Sequence, residues 1–181
     1  RRDGYADISG EDRPARLGGT AGECRVVAGP PEPASFGGIG GLLEALAGEL
    51  ACKHAHDAEI TQILELCDRM RNASLETDPL NFFSWDMEFH QSIVRAARNT
   101  PLMESHRVYN ARLWRARFIS SKRRTSQDTM LGHHDLIAEA LQKRDGPEAG
   151  RQLRRHLETA VINITEALGT KNQAVSETPT N

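Results

Sequence analysis

Between Leu42 and Leu168, apolar residues recur at helical spacing in six successive segments, each closed by turn or cap chemistry. The first segment carries Leu43, Leu46, Ala47 and Leu50, and the second Ile60, Ile63, Leu64, Cys67 and Met70. Asp78-Pro79, a capping carboxylate followed by proline at the first helical position, opens the third, with Phe82, Phe83, Phe89, Ile93 and Ala97. Thr100-Pro101 repeats that signal before the fourth, which carries Leu102, Met103, Leu113, Trp114 and Phe118. The fifth starts near Thr125 or Ser126 with Met130, Ile137, Ala138 and Leu141. Asp145-Gly146-Pro147 opens the sixth, with Leu153, Leu157, Ala160, Val161, Ile164 and Leu168, and Gly169 is its expected stop. Strand signals are nearly absent. Short loops between helices of this length favour antiparallel neighbours, so the expected fold is an all-α bundle.

The 181 residues suffice for one domain with a core. Ten of the 15 glycines and four of the eight prolines fall in residues 1–41, which show neither helical nor strand period. The expected organisation is therefore a disordered or irregular segment over 1–41, a helical domain over 42–169 and a flexible tail over 170–181. No apolar run approaches the roughly 18 residues of a membrane span. Three unpaired cysteines, Cys24, Cys52 and Cys67, fit a reduced, cytoplasmic setting. A net charge of -2 argues against a uniformly basic nucleic-acid binder.

Four polar residues sit on the apolar seams. Asp86 and His90, four apart, share the buried face of the third helix with Phe82, Phe83, Ile93 and Ala97. His134 falls in the stripe Met130, His134, Ile137, Leu141, and His156 in the stripe Leu153, His156, Ala160, Asn163. A buried carboxylate needs a cation, a metal or strong donors. Three imidazoles and one carboxylate converging in a bundle core suit zinc, nickel, iron or manganese and not calcium. The competing reading is a set of core histidines satisfied by hydrogen bonds. His133, rotated about 100° from His134, is expected to face away. His54 and His56 read as solvated. His106 lies on the inward stripe Met103, His106, Asn110, Leu113, Arg117 and reads chiefly as packing.

Residues 106–124 are strongly basic and carry no acid after Glu104. A solvated face is the simplest account, and a nucleic-acid surface is a second. Arg117 is the exception, because it shares its seam with Asn110. A buried arginine needs an anion, and a carboxylate ligand could supply one through a bidentate pair.

The run DMEFHQSIVRAARNTPLM resembles the D-x-x-F-H…N-P-L signature of the FCD domain, the C-terminal effector-binding domain of FadR-type regulators in the GntR family. The run HHDLIAEALQKRDGPEAGRQLRRHLETAVINI is similar to that domain's closing pattern, and YNARLWRARFISS looks like one branch of the family. The resemblance covers about residues 42–168. It implies an antiparallel bundle of six or seven helices with a divalent transition metal in the core, zinc first and nickel, manganese or iron as alternatives. It assigns the metal to Asp86, His90, His134 and His156. It further implies a small carboxylate or sugar-acid effector beside the metal and a homodimer that regulates transcription. Asn110 and Arg117, by their shared seam, and Asn163, on the His156 face, are the candidate contacts. DNA would be reached through a winged helix-turn-helix, which is not recognisable in residues 1–41. The family's arginine three positions before the glutamate of the first helix is replaced by Gly41, ahead of Glu44. A truncated or out-of-frame upstream region would account for both departures. The expected activity is sensing and not catalysis. The alternatives are a metalloenzyme using the three-histidine, one-aspartate site and a structural bundle without metal.

Overall fold

The computed structural model describes residues 33–73, 77–122 and 124–176, with side chains over 38–73, 77–122 and 129–166. Among the described residues there are six helices and no strand: α1 (Pro33–His54), α2 (Asp57–Arg71), α3 (Pro79–Ala96), α4 (Thr100–Ser121), α5 (Arg124–Gln142) and α6 (Gly146–Ser176). The Asp78 carboxylate caps α3 by accepting from the Leu80 amide at 3.0 Å, ahead of Pro79. The α4 cap is Asn99, one residue before the expected Thr100. Its side chain accepts from the Leu102 amide at 3.1 Å, and Thr100 is already helical. Asp145 accepts from the Glu148 amide at 3.0 Å and opens α6.

Helix α1 departs most from expectation. It begins at Pro33, so residues 33–41 are helical where an irregular segment was expected; residues 1–32 lie outside the described set. Its apolar stripe is buried only in part. Ala47 is fully buried and Leu43 and Leu50 pack half-buried against the core, but Leu46 is 45% exposed, while Glu44, Ala45 and Ala51, off the stripe, are buried. The reason is close packing on α6. A Cβ on Gly48 would lie 2.5 Å from Leu153 Cδ1, and a Cβ on Gly41 would touch Leu157. Small residues let the two backbones approach, and that contact outweighs the weak helix propensity of glycine. Gly41 opposite Leu157 and Glu49 opposite Gly146 show that α1 and α6 run antiparallel. Helix α6 in turn passes through Gly169 to Ser176, so 170–176 are helical where a tail was expected; 177–181 lie outside the described residues. One glycine costs a helix only about 1 kcal/mol.

α1 contacts α3, α4, α5 and α6, while α2 closes the bundle against α3 and α5. Phe89, Ile63, Met70, Ile93, Ile137, Leu141 and Leu153 are fully buried in the shared core. Trp114, expected on the α4 seam, is 47% exposed. It stands one residue, about 100°, past Leu113, meets the edge of Phe83 at 5.7 Å and stacks on Phe118 at 5.7 Å.

Two arginines have left-handed backbones, Arg98 (φ 53°) after α3 and Arg144 (φ 58°) after α5. Both reach the corner between α1 and α2. Arg98 donates to the His54 carbonyl at 3.1 Å and to Glu59 at 2.7 Å. Arg144 donates to the Ala55 carbonyl at 2.6 Å and to Asp57 at 2.5 Å. Charged hydrogen bonds to a carbonyl contribute about 1.5–3 kcal/mol, against about 1 kcal/mol or more for the strained backbone; the solvated Asp57 pair adds little. Arg144→Ala should therefore lower the melting temperature by about 4–8 °C. Arg144→Gly, which relieves the backbone, should lose clearly less. Equal losses in thermal unfolding would show that the left-handed backbone carries no strain.

Candidate functional site

The four seam residues meet. Asp86 and His90 come from α3, His134 from α5 and His156 from α6, and none is more than 1% exposed. The rings of His90 and His156 stack at 4.9 Å, and His134 lies 4.6 Å from His156. Asp86 Oδ1 is 3.3 Å from His134 Nε2 and 3.6 Å from His90 Nε2. One donor atom from each of the four lies within 4.8 Å of the others.

The hydrogen-bond inventory bears on both readings of these histidines. Asp86 Oδ1, His90 Nε2, both ring nitrogens of His134 and both of His156 are buried without a hydrogen-bond partner. The short Asp86–His134 distance lacks hydrogen-bond alignment. Each such orphan costs on the order of 1–3 kcal/mol, so six at one point in a core are not accounted for by packing. One atom from each residue, three imidazole nitrogens and one carboxylate oxygen, makes a donor set that fits a divalent transition ion; the second ring nitrogens of His134 and His156 stand outside that set.

Glu44, matched above only as the family's first-helix glutamate, was not expected at the cluster. It is 2% exposed on the small-residue face of α1. Its Oε2 accepts from His90 Nδ1 at 2.6 Å and its Oε1 lies 3.0 Å from His106 Nε2. The signal that could have found it is the run of small residues at helical spacing around it, Gly40, Gly41, Ala45, Ala47 and Gly48. Burial opposes a negative Glu44, but the charge of His90 and the hydrogen bonds from His106 and His90 outweigh it and hold the carboxyl well below its usual range. Burial likewise opposes charge on His90, and Glu44 and Asp86 outweigh it, lifting the imidazole to about 9. Asp86 is held well below the ordinary carboxylate range, its burial outweighed by His134, His90 and Arg117. Burial, joined by the charges of His134 and His90, pushes His156 down into the neutral form; burial also lowers His134.

Arg117 is 6% exposed and finds its anion inside the chain. It donates to Asp86 Oδ2 at 3.3 Å and to Asn110 Oδ1 at 3.0 Å, and lies 4.0 Å from Glu44 Oε1. Asn163 is half-buried on α6, between Ala160 and Ile164. His133 does not face away: it is 8% exposed and meets the His156 ring edge-on at 5.8 Å. α6 lies across the flank of α5 and covers this position. Of the basic stretch, Arg107, Arg112 and Arg115 are exposed, and Lys122 sits over the Phe118 ring at 4.3 Å.

Two openings adjoin the cluster. A small cavity of about 10 Å³ is lined by Asp86, Arg117, Ser120, Met130, Ala160 and Ile164. A groove of about 380 Å³ lies between α3 and α4, with His106 and Asn110 among its lining. No described helix is long and apolar enough to cross a membrane.

A family model, the FCD domain, matches residues 41–159 and so spans the cluster from Glu44 to His156. No curated protein matches the chain.

Proposed function

The chain belongs to the FCD domain family, the effector-binding domains of GntR-family transcription regulators, and from that premise we propose that it senses a small carboxylate at a divalent metal held by Asp86, His90, His134 and His156. The orphaned donor atoms, one from each of the four residues, carry this reading. Asp86, His90, His134 and His156 would hold the ion, which would supply a Lewis-acidic centre for a carboxylate oxygen. Zinc is the first expectation, with nickel, manganese or iron as alternatives.

Charge selects the ligand class. Around the metal, Asp86 and Glu44 are negative and Arg117 is positive, and His90 gives up its proton to become a donor. A divalent ion then leaves one uncompensated positive charge in a buried site, and a monoanionic ligand neutralises it. Arg117 and Asn110 are the proposed contacts on α4, and Asn163 the one on α6, where its neighbours Ala160 and Ile164 line the small cavity.

That cavity has room for about one water. An effector must therefore part α4 from α5 and α6, and binding selects a more open arrangement of the bundle. The proposed working unit is a cytoplasmic homodimer that passes this change to DNA through a winged helix-turn-helix not recognisable in this chain.

Elemental analysis of protein purified from metal-replete cells should give close to one transition-metal ion per chain. Thermal unfolding with a panel of carboxylates should then find a stabilising ligand that is recovered chemically unchanged. Metal-free protein would sink the proposal. Glu44 acts behind the donors: it takes His90 Nδ1 and leaves Nε2 facing the cluster. Glu44→Gln should weaken zinc affinity about 10–100-fold in a chelator competition, and unchanged affinity would remove Glu44 from this role.

A further inference from the structure

The groove between α3 and α4 is distinct from the small cavity beside Asp86. Its buried side chains are Met87, Val94, His106 and Asn110, and its exposed rim includes Arg107 and Trp114. Arg107 makes no ion pair among the described residues, whereas the other rim arginine, Arg95, is held by Glu88. The volume, about 380 Å³, suits a ligand of roughly a dozen heavy atoms. An apolar trough with one unpaired guanidinium at its edge complements a molecule with an apolar body and one carboxylate.

The two buried polar residues of the groove connect inward. His106 Nε2 meets Glu44 Oε1 at 3.0 Å, and Glu44 Oε2 meets His90 Nδ1 at 2.6 Å. Asn110 Oδ1 accepts from Arg117 at 3.0 Å, and Arg117 donates to Asp86 at 3.3 Å. Each is thus one intermediary away from a member of the histidine–aspartate cluster. We propose that this groove is a second ligand site, for apolar monocarboxylates, and that its occupancy is transmitted to the cluster through His106–Glu44–His90 and Asn110–Arg117–Asp86. The site is separate from the carboxylate position proposed above and needs no metal.

The chain has two tryptophans, so Trp85→Phe leaves Trp114 as the only one. This full-length variant is titrated with 4-phenylbutanoate, as purified and again with excess chelator. Trp114 emission should change saturably in both, with half-saturation below about 1 mM. Adding Arg107→Ala, or replacing the acid by 4-phenylbutan-1-ol, should weaken binding about fivefold. Ala111→Phe, at an exposed position in the groove, should abolish it. The ring signals of His106 and His90 in ¹H–¹⁵N spectra should both shift on saturation. A linear response, or one indifferent to Arg107→Ala and to loss of the carboxylate, overturns the groove site. A response that vanishes on chelation places the acid on the metal and overturns it too. Trp114 emission that ignores the acid but follows protein concentration assigns the groove to a second copy of the chain, and the ligand site falls in that case as well. A stationary His90 signal overturns the transmission. Absence of metal in the purified protein leaves every arm readable and counts against the metal proposal alone.

Discussion

With metal removed by a chelator, the His156→Leu chain is expected to melt about 4–8 °C above the equally chelated native chain. Both ring nitrogens of His156 are buried without a partner, and the residue is 0% exposed. Each unsatisfied atom costs at least about 1 kcal/mol, and leucine fills a comparable volume with no polar atom. A gain of about 2 kcal/mol at 2–4 °C per kcal/mol gives the stated shift. With zinc present the order should reverse. Binding energies of about 10–16 kcal/mol spread over four donors put roughly 2.5–4 kcal/mol on each, so removal of His156 should weaken zinc binding about 100- to 1,000-fold. Chelated unfolding and competitive zinc titration check the two halves. A chelated His156→Leu chain that melts below the native one would mean that the imidazole is satisfied as a structural group, and the metal proposal would fall.

Gly48→Val should lower stability by about 3 kcal/mol, or about 6–12 °C in melting temperature, and should also weaken zinc binding. The added Cβ would lie 2.5 Å from Leu153 Cδ1 and 3.4 Å from Ala149, and a branched side chain cannot rotate away from both. Leu153, fully buried, must shift, and it lies one turn before His156 on α6. Gly132→Ala is the control. Gly132 is exposed on α5 with nothing within 4 Å of an added Cβ, so alanine there should raise stability by about 1 kcal/mol. If both variants shift stability upward, close approach of α1 and α6 is not what glycine provides at position 48.

The cluster was legible because it broke a strong pattern. Asp86, His90, His134 and His156 interrupt stripes rich in Phe, Ile, Leu and Met, and a polar residue on such a stripe stands out. Glu44 interrupts a face made of glycine and alanine, which carries almost no hydrophobic signal, while the brighter leucine stripe of α1 points partly to solvent. The same weakness hid residues 33–41, whose helix is held by contact with α6 and Tyr109 and not by local propensity. His133 illustrates a different limit. Helical period gives an angle, but whether that flank is covered depends on where α6 lies across α5. Arg117 was placed correctly as buried, yet its anion came from Asp86 on another helix, which no local reading of α4 could supply.

The two left-handed arginines also tie separate helix ends to one corner. They fasten the C-terminal ends of α3 and α5 to one corner, at the end of the bundle where Gly146 begins α6 beside Glu49. The small cavity lies toward the other ends of these helices, between Asp86, Arg117 and Met130. Asp86 is 10 residues, about 15 Å of helix, from Ala96, where α3 ends just before Arg98. A tilt of about 10° about that fixed point therefore displaces Asp86 by about 3 Å, the width of a water molecule, while the corner stays still. In the opening proposed for effector binding, Arg98 and Arg144 would be the fixed end and the residues around Asp86 the moving one.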